Sequence, residues 1–71
     1  MSERFDDIAA RLDAIAEEIA EAAIDELRSA LQRGEAKRPA TEKRLTQSRR
    51  AVEKAAHLLR SLDGQSDQTS E

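Results

Sequence analysis

The hydrophobic residues near the start of the chain recur with the spacing of one side of an α-helix. Phe5, Ile8, Leu12, Ile15 and Ile19 follow one another at steps of three, four, three and four residues. Residues three and four apart share a face of a helix, so these side chains form one stripe, with acidic residues mostly on the other side. Neither glycine nor proline interrupts this stretch. The pattern predicts a long amphipathic helix that must lay its stripe on a partner.

Local signals set the ends of this helix and of a second one. Helix 1 is expected over about residues 3–33, with Gly34 as its left-handed C-terminal cap. Helix 2 is expected over about residues 39–62, and two starts stay open for it. Pro39 suits the first turn of a helix, and Thr41 is the competing start.

Helix 2 also has an apolar side, and a short loop joins it to helix 1. Two long helices joined in this way are expected to be antiparallel neighbours. The fold class that we predict is therefore all-α, an antiparallel two-helix hairpin within residues 1–62. The apolar side of helix 2 consists of Leu45, Val52, Ala55, Ala56, Leu59 and Leu62.

The antiparallel arrangement predicts which residues of the two helices lie opposite each other. Because both helices rise by the same amount per residue, the numbers of facing residues sum to about 72. Val52 then meets Ile19, and Arg60 lies near Asp13. In the same register, Arg49 is expected near two acidic residues of helix 1, Glu21 and Asp25.

The apolar residues are too widely spread for a single hairpin to cover. On helix 2 they extend over about 160°, which is more than one facing helix buries. Each helix of a hairpin has one neighbour, so a 71-residue monomer should be marginal. We therefore predict a homodimer that forms a four-helix bundle. The candidate partner or dimer surface comprises the apolar residues that a single hairpin leaves uncovered or at its edge: Ile24, Leu27, Leu31, Ala51 and Leu58.

Opposite charges are concentrated in the two halves of the chain. Residues 1–32 contain nine acidic and three basic side chains, and residues 33–62 contain nine basic and three acidic ones. Much of the basic charge of the second half is thus balanced by acidic residues of the first half of the same chain. What remains is a basic ridge that could contact phosphates or an acidic partner. The ridge comprises three residues of helix 2, Lys43, Arg50 and Lys54, and three before it, Arg33, Lys37 and Arg38.

Several function classes find no support in the sequence. There is no cysteine, and His57 is the only histidine, so neither a metal site nor another cofactor site is expected. Adjacent acids diverge on a helix, and a hairpin has no cleft, so we expect neither an enzyme nor a small-molecule substrate. No signal peptide or membrane span is expected, which favours a cytoplasmic location. The acidic tail of residues 63–71 is expected to be disordered.

One stretch of helix 2 resembles a group of known proteins. The sequences EKRLT at residues 42–46 and SRRAVEKAAHLL at residues 48–59 are similar to short helical-hairpin proteins of high-GC Gram-positive bacteria. The resemblance implies a small helical cytoplasmic protein and brings no catalytic residue with it. The function that we expect is a cytoplasmic helical interaction module that makes protein–protein contacts through apolar helix faces. A nucleic-acid-associated accessory protein that uses the basic ridge is the alternative.

Overall fold

Two helices packed side by side make up the part of the chain that the computed structural model describes, residues 3–64, with side chains over residues 3–62. Helix α1 spans Glu3–Gln32 and helix α2 spans Ala40–Gly64. The helices run antiparallel, and the described residues contain no strand. These observations confirm the all-α hairpin. Helix α2 continues through the first two residues assigned to the tail, and the rest of the tail lies outside the described residues.

The loop between the helices begins at the glycine that the sequence marks as a helix end. Gly34 has a φ of 78°, which confirms the predicted left-handed cap. The amide of Gly34 donates to the carbonyl of Leu31, and the amide of Glu35 donates to the carbonyl of Ala30. Together these two bonds form a Schellman motif, which satisfies carbonyls at the end of α1.

The start of α2 lies one residue later than the first of the two predicted starts. The carbonyl of Pro39 accepts a hydrogen bond from the amide of Lys43 at 3.2 Å, while Ala40 is the first residue of the helix. Pro39 therefore occupies the N-cap position rather than the first turn. Its lack of an amide hydrogen costs nothing there, because that donor would have no partner within the helix.

Four alanines, and not the large apolar residues, form the buried centre of α1. Ala9, Ala16, Ala23 and Ala30 follow one another at intervals of seven residues and are each at most 7% exposed. In α2, Ala56 is 1% exposed. Seven residues are nearly two helical turns, so the four alanines form one continuous line, which we call the alanine seam. Small side chains along the seam let the two helix backbones approach closely.

The predicted stripe of α1 flanks the seam instead of facing α2 directly. Ile8, Leu12 and Ile19 are half-buried, whereas Phe5 and Ile15 are 37% and 43% exposed. The stripe therefore borders the contact with α2, and the centre of that contact is the alanine seam beside it. The physical reason is that a line of alanines admits a closer neighbour than a line of leucines or isoleucines does, and the larger side chains then pack at the edge of the contact.

The hairpin is a layer that is one helix thick. Its Cα atoms extend over 53 × 24 × 10 Å, and the shortest dimension corresponds to a single helix. Among the described residues no large side chain is fully buried. A buried methyl group contributes only about 0.8 kcal/mol, against about 1.5–3 kcal/mol for a fully buried leucine or isoleucine. Most of the hydrophobic surface of the hairpin therefore remains to be covered.

Candidate functional site

The two broad sides of the hairpin differ in chemistry, and one of them carries a polar groove. A cavity of about 150 Å³ lies between the helices near the loop, and a second of about 250 Å³ continues it toward the open end. Ala20 and Arg49 line both cavities. On α2 the other lining residues are mostly charged or polar, among them Glu42, Thr46 and Glu53. The α1 wall near the loop is apolar and consists of Ala23, Ile24 and Leu27 together with Ala20. We call this side the polar groove, after its α2 wall.

The opposite side of the hairpin is apolar over its open half. Ile15 lies nine residues before the groove-lining Ile24, and Ala55 lies nine residues after the groove-lining Thr46. Nine residues are two and a half turns, which places Ile15 and Ala55 on the side away from the groove. The residues of this side, which we call the apolar flank, are Phe5, Ile8, Leu12, Ile15 and Ile19 of α1 and Ala51, Val52, Ala55, Leu58, Leu59 and Leu62 of α2.

The side chains of the apolar flank are substantially exposed at its outer edges. Phe5 is 37% exposed, Ile15 is 43%, Leu58 is 54% and Leu62 is 50%. They come from both helices and surround half-buried residues at the edge of the helix contact. Scattered exposed leucines are normal on protein surfaces, but a contiguous apolar area on one side is a feature of interaction sites.

The five residues predicted to form the partner or dimer surface do not lie on one side. Ile24 and Leu31 are 47% and 72% exposed, Leu58 is 54% exposed, Ala51 is exposed and Leu27 is half-buried. Ile24 and Leu27 line the polar groove, and Leu31 follows Ile24 at seven residues. Ala51 and Leu58 belong to the apolar flank. The predicted surface is thus divided between opposite sides of the hairpin.

A buried carboxylate anchors the start of α2 in the groove. Glu42 is 5% exposed and pairs with the guanidinium of Arg38, whose Nη2 donates to Glu42 Oε2 at 3.1 Å. The hydroxyl of Thr46 donates to the same oxygen at 2.8 Å. The hydrogen bond from Arg38 lowers the pKa of the Glu42 carboxyl, although burial opposes this effect. Both oxygens of this buried carboxylate therefore accept hydrogen bonds, as burial of a charge requires.

The stability that Glu42 contributes should depend on pH. Its pKa in the folded chain lies below the ordinary value of 4.5, so the contribution is present above that value and is lost as the pH falls through the folded-state pKa. We expect Glu42→Gln to lower the melting temperature at about pH 7, and the difference from wild type to vanish near pH 2. Thermal melts followed by circular dichroism at both pH values measure this.

The matched control is Glu21→Gln, which removes an exposed carboxylate from the same hairpin. It should leave the melting temperature nearly unchanged at both pH values, because exposed charges contribute little. An equal effect of the two substitutions would show that the Arg38–Glu42 pair has no special role.

The charged residues around the groove test the predicted register. Arg60 Nη2 donates to Asp13 Oδ2 at 2.7 Å, which confirms this pair and the antiparallel alignment. Arg49 forms its ion pair with Glu53 on its own helix, Nε to Oε2 at 3.6 Å, rather than with either predicted acid of α1. Arg49 lines the groove together with Glu17, whereas the predicted partners Glu21 and Asp25 lie about one and two turns further along α1.

The predicted basic ridge is divided between paired and unpaired cations. Arg38 pairs with Glu42, and Arg33 pairs with Glu35 through a 2.8 Å hydrogen bond. The other members are exposed and form no ion pair with any described residue: Lys37, Lys43, Arg50 and Lys54. Their binding to phosphates or to an acidic partner stays a prediction from the sequence.

Metal-ligating residues do not gather anywhere in the described part of the chain. His57 is exposed on α2, and residues 3–62, whose side chains the structure describes, contain no group of three histidine, aspartate or glutamate side chains placed to hold a metal ion. Neither α1 nor α2 contains a stretch that is both long and apolar enough to pass through a bilayer. No protein-family model, curated protein or solved structure matches this chain.

Proposed function

We propose that this chain is a small cytoplasmic helical module that acts through protein–protein contacts, and that the apolar flank pairs two copies into a four-helix bundle. The observation that supports the proposal is the collection of exposed large apolar side chains on one side of the open half. A second layer placed on that side would cover Ile15, Leu58 and Leu62 together. Stacking two such layers gives each helix the second neighbour that a lone hairpin lacks.

The proposal is tested by two isoleucines of nearly equal exposure on opposite sides of α1. Ile15→Glu places a charge on the apolar flank, whereas Ile24→Glu places the same charge beside the polar groove. We expect Ile15→Glu to raise the dissociation constant of the dimer at least about tenfold, since an unpaired charge would enter the interface at a cost of more than about 1.4 kcal/mol. The dimer of the Ile24→Glu variant should have the same dissociation constant as the wild-type dimer. Sedimentation equilibrium of the three chains over a wide concentration range measures this.

A wild-type chain that stays monomeric at all concentrations would contradict self-association through the flank. If instead Ile24→Glu dissociates the dimer and Ile15→Glu does not, the interface lies on the side of the groove, where Leu31 is also exposed.

A further inference from the structure

We infer that the two copies stack with their loops at the same end, so that α1 of each copy lies on α2 of the other. This inference rests on the proposed pairing through the apolar flank and adds its geometry. Two hairpin layers can face each other through a two-fold axis along the helices or through one across them. The first places both loops at one end and α1 on α2. The second places the loops at opposite ends, with α1 on the partner's α1 and α2 on the partner's α2.

The position of the apolar flank along the hairpin favours the first arrangement. On the same side of the hairpin, the half near the loop is polar: Glu26 and Ser29 follow Ile19 and Ala22 at seven residues, and Arg44 and Ser48 precede Ala51 and Ala55 at seven residues. An axis along the helices keeps every residue at its own level. Apolar half then meets apolar half, and polar half meets polar half, over the full length of both hairpins. With an axis across the helices, the apolar half of one copy can lie on the apolar half of the other only if the copies are offset. The polar half near each loop then extends beyond the contact and lies on nothing.

The charges of the two helices favour the same arrangement. Helix α1, residues 3–32, contains nine acidic and three basic side chains, whereas helix α2, residues 40–64, contains six basic and three acidic ones. With the loops at the same end, each acidic helix has a basic neighbour within its own chain and another across the interface. With the loops at opposite ends, α1 lies on α1 and like charges face each other. Such juxtaposition disfavours the wrong complex more than it strengthens the right one.

One pair of residues illustrates this complementarity at the polar half of the interface. The Asp13–Arg60 contact shows that residues whose numbers sum to about 72 lie at one level. Glu26 and Arg44 sum to 70, so they differ in level by about 3 Å at 1.5 Å per residue. Glu26 is half-buried, and Arg44 is exposed and makes no ion pair with another described residue. In the proposed dimer, Glu26 of each chain lies within reach of the partner's Arg44.

The arrangement can be measured with spin labels, because the chain has no cysteine of its own. Ala36→Cys places the only thiol in the exposed loop, and Ala14→Cys places it on the exposed face of α1 at the level of the apolar flank. With loops at the same end, the two labels on residue 36 should be about 15–30 Å apart, as expected for bundled helices 8–10 Å between axes. With loops at opposite ends they should be about 60 Å apart, since some 20 residues separate each loop from the level of the two-fold axis.

The label on residue 14 distinguishes the failure of the geometry from the failure of the dimer. Its distance is short, about 15–30 Å, in either arrangement. A short distance at residue 14 with a long one at residue 36 would overturn the proposed geometry and leave the dimer intact. No dipolar coupling at residue 14 would show that no such dimer forms, and both proposals would fall.

Charge exchange provides an independent check that needs no label. Arg44→Glu should raise the dissociation constant about two- to fivefold, as expected for an exposed ion pair. Adding Glu26→Arg to that variant should restore the wild-type value. A double variant as weak as the single one would contradict the pairing of α1 with the partner's α2.

Discussion

Ala16→Leu is expected to lower the free energy of unfolding by about 1–3 kcal/mol, the usual cost of added volume at a closely packed site. Ala16 lies in the middle of the alanine seam and is 3% exposed, so a leucine there has nowhere to go without separating the helices. Separation would also weaken the Asp13–Arg60 contact, which spans the hairpin nearby. Chemical denaturation followed by circular dichroism measures the loss.

The control for this substitution is the same change two residues earlier. Ala14 is exposed on the outer face of α1, and leucine is nearly as good a helix former as alanine. Ala14→Leu should therefore change the free energy of unfolding by less than about 0.5 kcal/mol. Equal losses at both positions would mean that the alanine seam does not set the distance between the helices.

Ile19→Asp is expected to unfold the hairpin at low protein concentration. Ile19 is half-buried at the edge of the seam, where a carboxylate would lose solvent without gaining a hydrogen-bond donor. An uncompensated polar group in such a place costs on the order of 3 kcal/mol or more, which is a large share of the stability of a hairpin without a large buried side chain. Val52→Asp, on the facing helix at the same level, should have the same effect. The helical signal at 222 nm and its melt report the unfolding.

Ile24→Asp separates burial from charge in this test. It adds the same charge to the same acidic helix, but at a side chain that is 47% exposed on the opposite side. We expect a loss of less than about 0.5 kcal/mol. If Ile24→Asp destabilises the chain as much as Ile19→Asp does, the added charge on α1 and not the burial of Ile19 is responsible.

The sequence predicts the course of the chain because local signals decide it. Gly34 ends α1 through its positive φ, and the rise per residue then fixes the level of Arg60 opposite Asp13. Both follow from single-helix geometry and need no knowledge of packing. The start of α2 is not fixed by the sequence in the same way, since Pro39 in the first turn and Thr41 as the start both suit it, and the helix begins between them at Ala40.

The centre of the helix contact could not be read from the large residues alone. A hydrophobic pattern weights leucine and isoleucine above alanine, so it directs attention to Ile15 and Phe5, which are exposed. The signal that would have found the seam is the spacing of Ala9, Ala16, Ala23 and Ala30 at seven residues, which the sequence contains. Whether small or large residues occupy the contact depends on the distance between the helix axes, and that distance is a property of both helices together.

The groove shows a second limit of sequence reasoning. The spacing of Arg38 and Glu42 by four residues favours an ion pair on a helix, but it does not indicate that Glu42 becomes buried. Arg49 has acids within reach on both helices, and its pairing with Glu53 depends on side-chain directions that a level count does not resolve. To predict that the exposed apolar residues lie on two opposite sides of the hairpin, one must likewise know which face of α1 carries the seam.

The seven-residue interval of the seam also restricts how the length of this chain can change. A straight helix drifts by about 20° in each interval of seven, so the helices must wind slowly around each other, in a left-handed sense, to keep all four alanines in contact. Inserting one residue between Ala9 and Ala16 would turn the following part of α1 by about 100° and place Ile15, Ala22 and Ser29 at the seam positions of the three later alanines. Insertions of whole sevens in both helices, or of any number of residues in the loop of residues 33–39, would leave the contact in phase. Length variation in chains of this design is therefore confined to the loop and to matched sevens.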